Sequence, residues 1–433
     1  MHVAVDTTKA DEAEPVADSA SGVLFRVLEQ HVEDAAALRR IRSRLVRAPH
    51  VRLSDLTRLD ERIAAHLDGI AVAGRAGLRS SIRALEHAGK GELFTAAVGC
   101  IEARSDPAIM RLLALSQATP NARAGFHSAF GWVSPGRLAG VVSILLACDD
   151  PAARLAGIEG CAQHRVDPKR HLDAALVSDD AVLRARALRC AGEIGRVDLL
   201  GTCQAHLDHA DASCRFHAAR SALLFGDRDE ALEVIRDIAA TPSMFGDIAL
   251  ALAASVLAPA DAHRWLERFA SKPESARRLI RAVGFTGDPR YAQWLIGRMD
   301  DDRVARLAGE SFSLITGADF VRLGLERAPL ASGNSGGEKD ADAAEEEDDG
   351  APWPDPDKTR TWWHANKARM PGNGRYLMGA LSSKAQCIDV LRNGAQRQRA
   401  AAAIQLRLAD PRSVLFNCAA PAWRQRRALQ AMD

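Results

Sequence analysis

The chain has 433 residues, with 57 Lys and Arg against 56 Asp and Glu and only 5% aromatic residues. Its near-zero net charge excludes a bulk attraction to nucleic acid or to a charged membrane surface. Few aromatics beside abundant Ala, Leu and Arg favour helices and argue against an all-β fold.

Residues 1–20 are acidic and poor in large apolar side chains. They lack the apolar core of a signal peptide and read as a disordered tail. The longest apolar stretches, Leu138–Ala147 and Ile248–Ala260, are about 10 to 13 residues, too short to cross a bilayer. Eight cysteines with no Cys-x-x-Cys pair predict free thiols in a reducing cytoplasm.

Residues 21–124 form a divergent helical region. Leu24, Val27, Leu28 and Val32 share one helical face, as do Leu38, Ile41 and Leu45. A second helix is expected over Ser54–Leu67 with Ser54 as its N-cap. Leu78–His87 and Leu93–Ala103 follow, and Asp106-Pro107 opens another helix.

Residues 125–330 carry a repeat of about 30 residues, the mark of stacked helical units. Its copies read Asp150-Pro-Ala-Ala-Arg154, Asp180-Ala-Val-Leu-Arg184, Asp211-Ala-Ser-Cys-Arg215 and Asp302-Arg-Val-Ala-Arg306. Outer helices are predicted at Leu138–Ala147, Pro168–Val177, Asp198–Leu207, Asp229–Ala239, Ala260–Ala270 and Pro289–Met299. Inner helices are predicted at Pro151–Gln163, Ala181–Ile194, Ala212–Phe225, Pro242–Leu257, Pro273–Phe285 and Arg303–Ile315. Gly195, Gly226, Gly287 and Gly317 fall just past inner-helix ends, where a left-handed cap is wanted. The expected fold is all-α, an α-solenoid of HEAT-like hairpins, each unit packing on its neighbours.

Residues 331–352 form a strongly acidic segment that cannot bury a core and read as a disordered linker. Residues 353–433 resume folded character. They hold a Trp-rich loop (Trp362, Trp363, Arg375, Tyr376) and a hairpin of Lys384–Leu391 and Gln396–Leu408, read as the last unit of the array. Arg399 lies where the repeat arginine would lie. From Lys358 onward basic residues exceed acidic ones by about eleven.

The repeat Asp caps the inner helix and favours its positive dipole end. Arg154, Arg184 and Arg215 have two readings: they reach the Asp of an adjacent repeat and staple the array, or they line a concave face that binds an anionic partner. Cys203-x-x-His206-x-x-His209, Cys214-x-x-His217 and Cys161-x-x-His164 are the most metal-like spacings, since residues three apart share a helix face. They match no zinc signature, and cysteine also fills tight helix packing. Trp265 and Trp294 with Arg277, Arg278 and Arg281 suggest a nucleic-acid groove, but such a groove calls for a larger charge excess. No phosphate loop, His-Glu-x-x-His or Gly-x-Ser-x-Gly occurs. The Trp-rich loop reads either as a hot spot for a partner or as a cap on the end of the array.

Three segments together resemble an uncharacterised proteobacterial family of HEAT-repeat-like proteins. They are Ala65-His66-Leu67-Asp68-Gly69 with Val72-Ala-Gly74, the Trp132 turn, and Trp362-Trp363 through Gly374-Arg375-Tyr376-Leu377 and Gly379 to Arg397-Gln-Arg399-Ala-Ala-Ala. The resemblance implies no catalytic residues. It implies a gene neighbourhood near type VI secretion components, hence an adaptor or chaperone role. The expected protein is a cytoplasmic, non-enzymatic scaffold without metal or cofactor. It binds a protein partner through Trp362, Trp363, Arg375, Tyr376, Arg154, Arg184 and Arg215. The rival classes are a nucleic-acid-binding HEAT-like protein and a metal-dependent enzyme using the Cys/His residues.

Overall fold

The computed structural model describes residues 24–241, 243–270, 275–328, 347–372 and 374–432. The expected tail at 1–20 and most of the acidic segment lie outside them. The described chain is all-α, with one two-stranded ribbon.

The first α-helices are α1 Phe25–Leu45, α2 Leu53–Val72, α3 Gly74–Arg83, α4 Lys90–Glu102, α5 Asp106–Ala118, α6 Pro120–Trp132 and α7 Pro135–Ala147, the last of these the first expected outer helix. α2 starts one residue before the expected Ser54 cap, because Asp55 accepts the backbone N–H of Arg52 (2.9 Å). Helix pairs then follow: α8 Pro151–His164, α9 Arg170–Leu176, α10 Ala181–Ile194, α11 Leu200–Gln204, α12 Ala212–Phe225, α13 Glu230–Ala240, α14 Gly246–Val256, α15 Pro259–Ala270, α16 Ala276–Thr286, α17 Ala292–Arg298 and α18 Asp302–Thr316.

The repeat aspartates cap as expected. Asp150 accepts from Ala152 N, Asp180 from Leu183 N and Asp211 from Cys214 N. In the last copy the cap is Asp301, not Asp302, and accepts from Arg303 N (3.2 Å). These side chains satisfy N–H groups that a helix start leaves open.

α8, α10 and α12 lie side by side, as do α14, α16 and α18. Small residues set this spacing: a methyl group on Gly192 would strike Ser221, and one on Gly284 would strike Ser311. Ser221 Oγ donates to the Leu188 carbonyl of the neighbouring helix (2.7 Å). Behind this contact Phe126, Phe130, Phe216 and Phe312 are fully or almost fully buried in one continuous core. Each such ring contributes about 3–5 kcal/mol relative to Ala.

The C-terminal part is where the structure departs most from expectation. It holds α19 Pro356–Asn366, β1 Tyr376–Leu377, β2 Ala380–Leu381, α20 Lys384–Asn393, α21 Gln396–Ala409 and α22 Ala422–Gln430. The α20–α21 hairpin was expected, but it does not simply extend the array. Its helix α21 packs on α12 and α14, and α22 packs on α2. Gln396 N donates to Val51 O (2.7 Å), and Arg52 pairs with Asp319 (2.8 Å). The C-terminal segment therefore meets the N-terminal helices and covers part of the surface that an open array leaves free.

The crossing points are the helix-end glycines. Gly195, Gly226, Gly287 and Gly317 have the left-handed backbone expected of them. Three of them also touch the C-terminal backbone: a Cβ on Gly195 would meet Ser413, on Gly287 Tyr376, and on Gly317 Met378. Tyr376 N donates to Gly287 O (2.7 Å), and Met378 N to Leu314 O (2.7 Å).

Candidate functional site

Trp362 and Trp363 lie on α19 rather than in a loop. Each ring stands edge-on to Phe312 with centroids 6.0 Å apart, and Trp363 is buried. Arg375 is also used inside the fold. Its guanidinium donates to Ala254 O (3.1 Å), Leu257 O (2.6 Å) and Phe285 O (2.8 Å). It thus closes the carbonyl ends of α14 and α16, a favoured place for a cation. Burial pushes the Arg375 pKa down to about 10. Tyr376 is buried in the ribbon. Of the two readings of this segment, cap and partner hot spot, these contacts match the cap: Trp363, Arg375 and Tyr376 join the C-terminal segment to the helix pairs.

The repeat arginines do not form the expected ladder to neighbouring aspartates. Arg184 bonds His209 Nε2 (2.6 Å) and the Ser178 carbonyl. Arg154 and Arg215 make no ion pair among the described residues. The ion pairs between adjacent helices lie further along: Arg186 bonds Glu159 of α8, and it reaches Glu193 on its own helix at 3.2 Å.

The metal-like spacings do not converge. Both ring nitrogens of His209 lie within hydrogen-bond distance of N–H donors, Arg184 Nη1 and Asp211 N (3.0 Å). Cys214 Sγ faces Ala181 O (3.3 Å), and His206 Nδ1 donates to Thr202 O (2.8 Å). His164 bonds Phe130 O and Arg424. Burial holds the Cys203 thiol up to about 12, far from a thiolate. No group of three or more potential ligands is gathered among the described residues.

The arginines of the suggested nucleic-acid groove face carboxylates. Arg278 pairs with Asp247 (2.6 Å), Arg281 with Glu347 (2.7 Å) and Arg277 with Asp348 (2.8 Å). Asp348 is buried, so the end of the acidic segment is ordered and seated on α16. Part of the basic excess of the C-terminal segment is likewise used inside the fold. Arg392 bonds Leu429 O, Arg397 bonds Arg47 O, Arg399 bonds Leu391 O and Arg407 bonds Asp410 O.

The open site lies at the other end of the chain. A groove of about 840 Å³ runs between α2–α3, α4, the α6–α7 turn and α22. Its floor is apolar, with Leu67, Ile70, Leu78 and Val98. Its wall is formed by Trp132 and Trp423, edge-on at 4.8 Å, with the buried Phe94 ring edge-on behind Trp132 (5.5 Å). Trp423 is 42% exposed. Arg424, itself at the groove, anchors the wall by donating to the Gly131 carbonyl and to His164 Nδ1 (2.7 Å). His164 Nε2–H donates to Phe130 O (2.8 Å). Burial and then the Arg424 charge push the His164 pKa down to about 4, so its imidazole is neutral and accepts from Arg424.

At the groove rim Arg137 pairs with Glu102 (3.2 Å). Arg75 and Arg427 are exposed and make no ion pair among the described residues. The volume suits a short peptide segment or a mid-sized ligand. The segments Ala65–Gly69 and Val72–Gly74 and the Trp132 turn, singled out in the sequence, supply Leu67, Asp68, Gly74 and Trp132 to this groove, but α22, which supplies one wall from about 290 residues away, carried no signal.

The chain matches no family model, no curated protein and no solved structure. No described helix is long and apolar enough to cross a membrane.

Proposed function

We propose that the chain is a HEAT-like α-solenoid scaffold, without catalytic chemistry, that binds a protein partner in the Trp132–Trp423 groove. The observation that carries this reading is a half-exposed tryptophan above an apolar floor, with Arg75 and Arg427 unpaired at the rim. Aromatic and arginine side chains around a desolvated centre supply most binding energy at protein interfaces. The complementary ligand is a segment with one or two large apolar side chains flanked by Asp or Glu. Side-by-side packing of α8, α10 and α12, and of α14, α16 and α18, supports the solenoid reading. The resemblance to HEAT-like proteins encoded near type VI secretion components supports an adaptor or chaperone within that machinery.

The test is selection of 12-residue peptides on the full chain. We expect enrichment of apolar–acidic peptides that bind at least tenfold more weakly to Trp423→Ala with Arg427→Glu. If selected peptides bind the double variant as tightly as the parent, the groove is not the docking site.

A further inference from the structure

A second cluster of charged side chains lies away from the groove. On the facing helices α8, α10 and α12, the guanidinium groups of Arg165, Arg186, Arg189 and Arg220 surround only two carboxylates, Glu159 and Glu193. Arg186 bonds Glu159 and lies 3.2 Å from Glu193. Arg189 reaches Glu193 at 2.8 Å and Arg165 at 3.6 Å. Four cations against two anions leave a surplus of two positive charges. The ion pairs explain how Glu159 and Glu193 are tolerated in the interior, since a buried carboxylate persists only when paired. They do not explain the surplus.

Three nitrogen atoms mark where the surplus points. Arg186 Nη1, Arg220 Nη1 and His217 Nδ1 are buried and have no hydrogen-bond partner among the described residues. Such atoms are rare in folded proteins, because a buried donor left unpaired has lost its water without gaining a partner. Arg186 and its neighbours share one field. The His217 pKa is pushed down to about 3 by burial and then by Arg189, Arg220 and Arg186. Arg220 is lowered to about 10 by burial and then by Arg189. In both cases burial acts first, and the neighbouring arginines outweigh the opposing charge of Glu193. Arg189, 49% exposed, connects the cluster with solvent.

We propose that Arg186, Arg189, Arg220 and His217 form a binding site for a phosphoryl dianion, either a phosphate monoester or free phosphate. The match is one of charge and count. A phosphate monoester carries nearly two negative charges at neutral pH and presents three strong acceptor oxygens, against a surplus of two charges and three unpartnered nitrogens. Arginine is well suited to this task because its planar fork matches phosphate geometry. The site shares no residue with the groove, and its four side chains lie on α10 and α12.

Isothermal titration of the full chain at pH 7.5 and low salt, with O-phospho-L-serine and separately with inorganic phosphate, tests the assignment. One-site saturable binding is expected, at least tenfold weaker in Arg220→Gln, partly retained in Arg220→Lys and unchanged in Trp423→Ala. Tighter binding of phosphoserine assigns the site to an ester, and equal binding assigns it to free phosphate. If Arg220→Gln loses its helical circular dichroism, Arg189→Gln, altered at a half-exposed position, replaces it with the same expected weakening. Absence of saturable binding by either probe, or equal affinity in the folded arginine variant, overturns the site. Loss of this site leaves peptide binding in the groove untouched, so the two readings fail separately.

Discussion

Arg42 and Asp60 form a two-point ion pair, Nε to Oδ1 at 2.5 Å and Nη2 to Oδ2 at 3.1 Å, whose remaining valences are taken by the far end of the chain. Arg42 also donates to Ala419 O (3.0 Å) and Ala420 O (2.9 Å), and Asp60 accepts from Ala422 N (2.7 Å). Asp60 is fully buried, at 0% exposure. A pair made within the first two helices thus holds the start of the last one.

Removing one partner of this pair strands the other in the interior. Asp60→Ala is expected to cost about 3–5 kcal/mol, because it leaves the Arg42 charge buried and uncompensated. Arg42→Met with Asp60→Leu should recover more than half of that loss. Urea unfolding midpoints of the three variants measure both numbers. A double variant no more stable than Asp60→Ala would show that the pair is needed for more than charge balance.

Arg375 is expected to act as a structural staple. Arg375→Ala removes three carbonyl caps from two helix ends and should cost about 3 kcal/mol. Arg375→Lys should restore less than half, since an ammonium is a point charge and not a fork. Chemical unfolding is the measurement, and peptide binding in the groove should be unchanged once each variant is folded.

Two glycines with similar backbone angles should respond differently to alanine. Gly74 has φ +54° with nothing within 4 Å of a built Cβ, whereas Gly287 at φ +63° would drive a Cβ into the Tyr376 carbonyl. Gly74→Ala should cost only the strain of a left-handed alanine, about 1 kcal/mol. Gly287→Ala should cost at least about 1 kcal/mol more, because the crossing ribbon must shift as well. Equal midpoints for the two variants would sink this account of the crossing.

Stability should fall as the solution is acidified below about pH 6.5. The His164 pKa lies near 4 and the His217 pKa near 3, against an ordinary value of 6.5. Between those values the unfolded chain binds protons that the folded chain refuses, so unfolding gains free energy as pH falls. The contribution is complete above pH 6.5 and is progressively lost toward pH 4 and then 3. Thermal melts from pH 7.5 to 4.5 should show a falling Tm, with a shallower slope in His164→Gln with His217→Gln. The same slope in that variant would assign the effect to other groups.

Much of the fold is legible from spacing. Asp150, Asp180 and Asp211 cap the helices that follow them, and Ala181–Ile194 and Ala212–Phe225 have the expected limits, because N-caps and left-handed glycines act within a few residues of their own positions. Trp363, Arg375 and Tyr376 were conspicuous for their chemistry and turned out to be interior. Composition marks a side chain as a good anchor without telling whether the anchor holds a partner or the same chain. Trp423, in a run of arginines near the end, carried no local signal at all.

The sequence by itself determined the all-α class and the limits of helices such as Ala181–Ile194 and Ala212–Phe225, since these follow from dihedral preference, capping and periodic burial over short distances. Only the tertiary structure decided that residues 353–432 cross the helix ends and return to α2, that Asp348 seats on Arg277, and that Trp132 meets Trp423. Those contacts join residues 71 to 360 or more positions apart. Their partners are chosen by which carbonyls and ring faces are left open after the helices have packed, a quantity that no local pattern encodes.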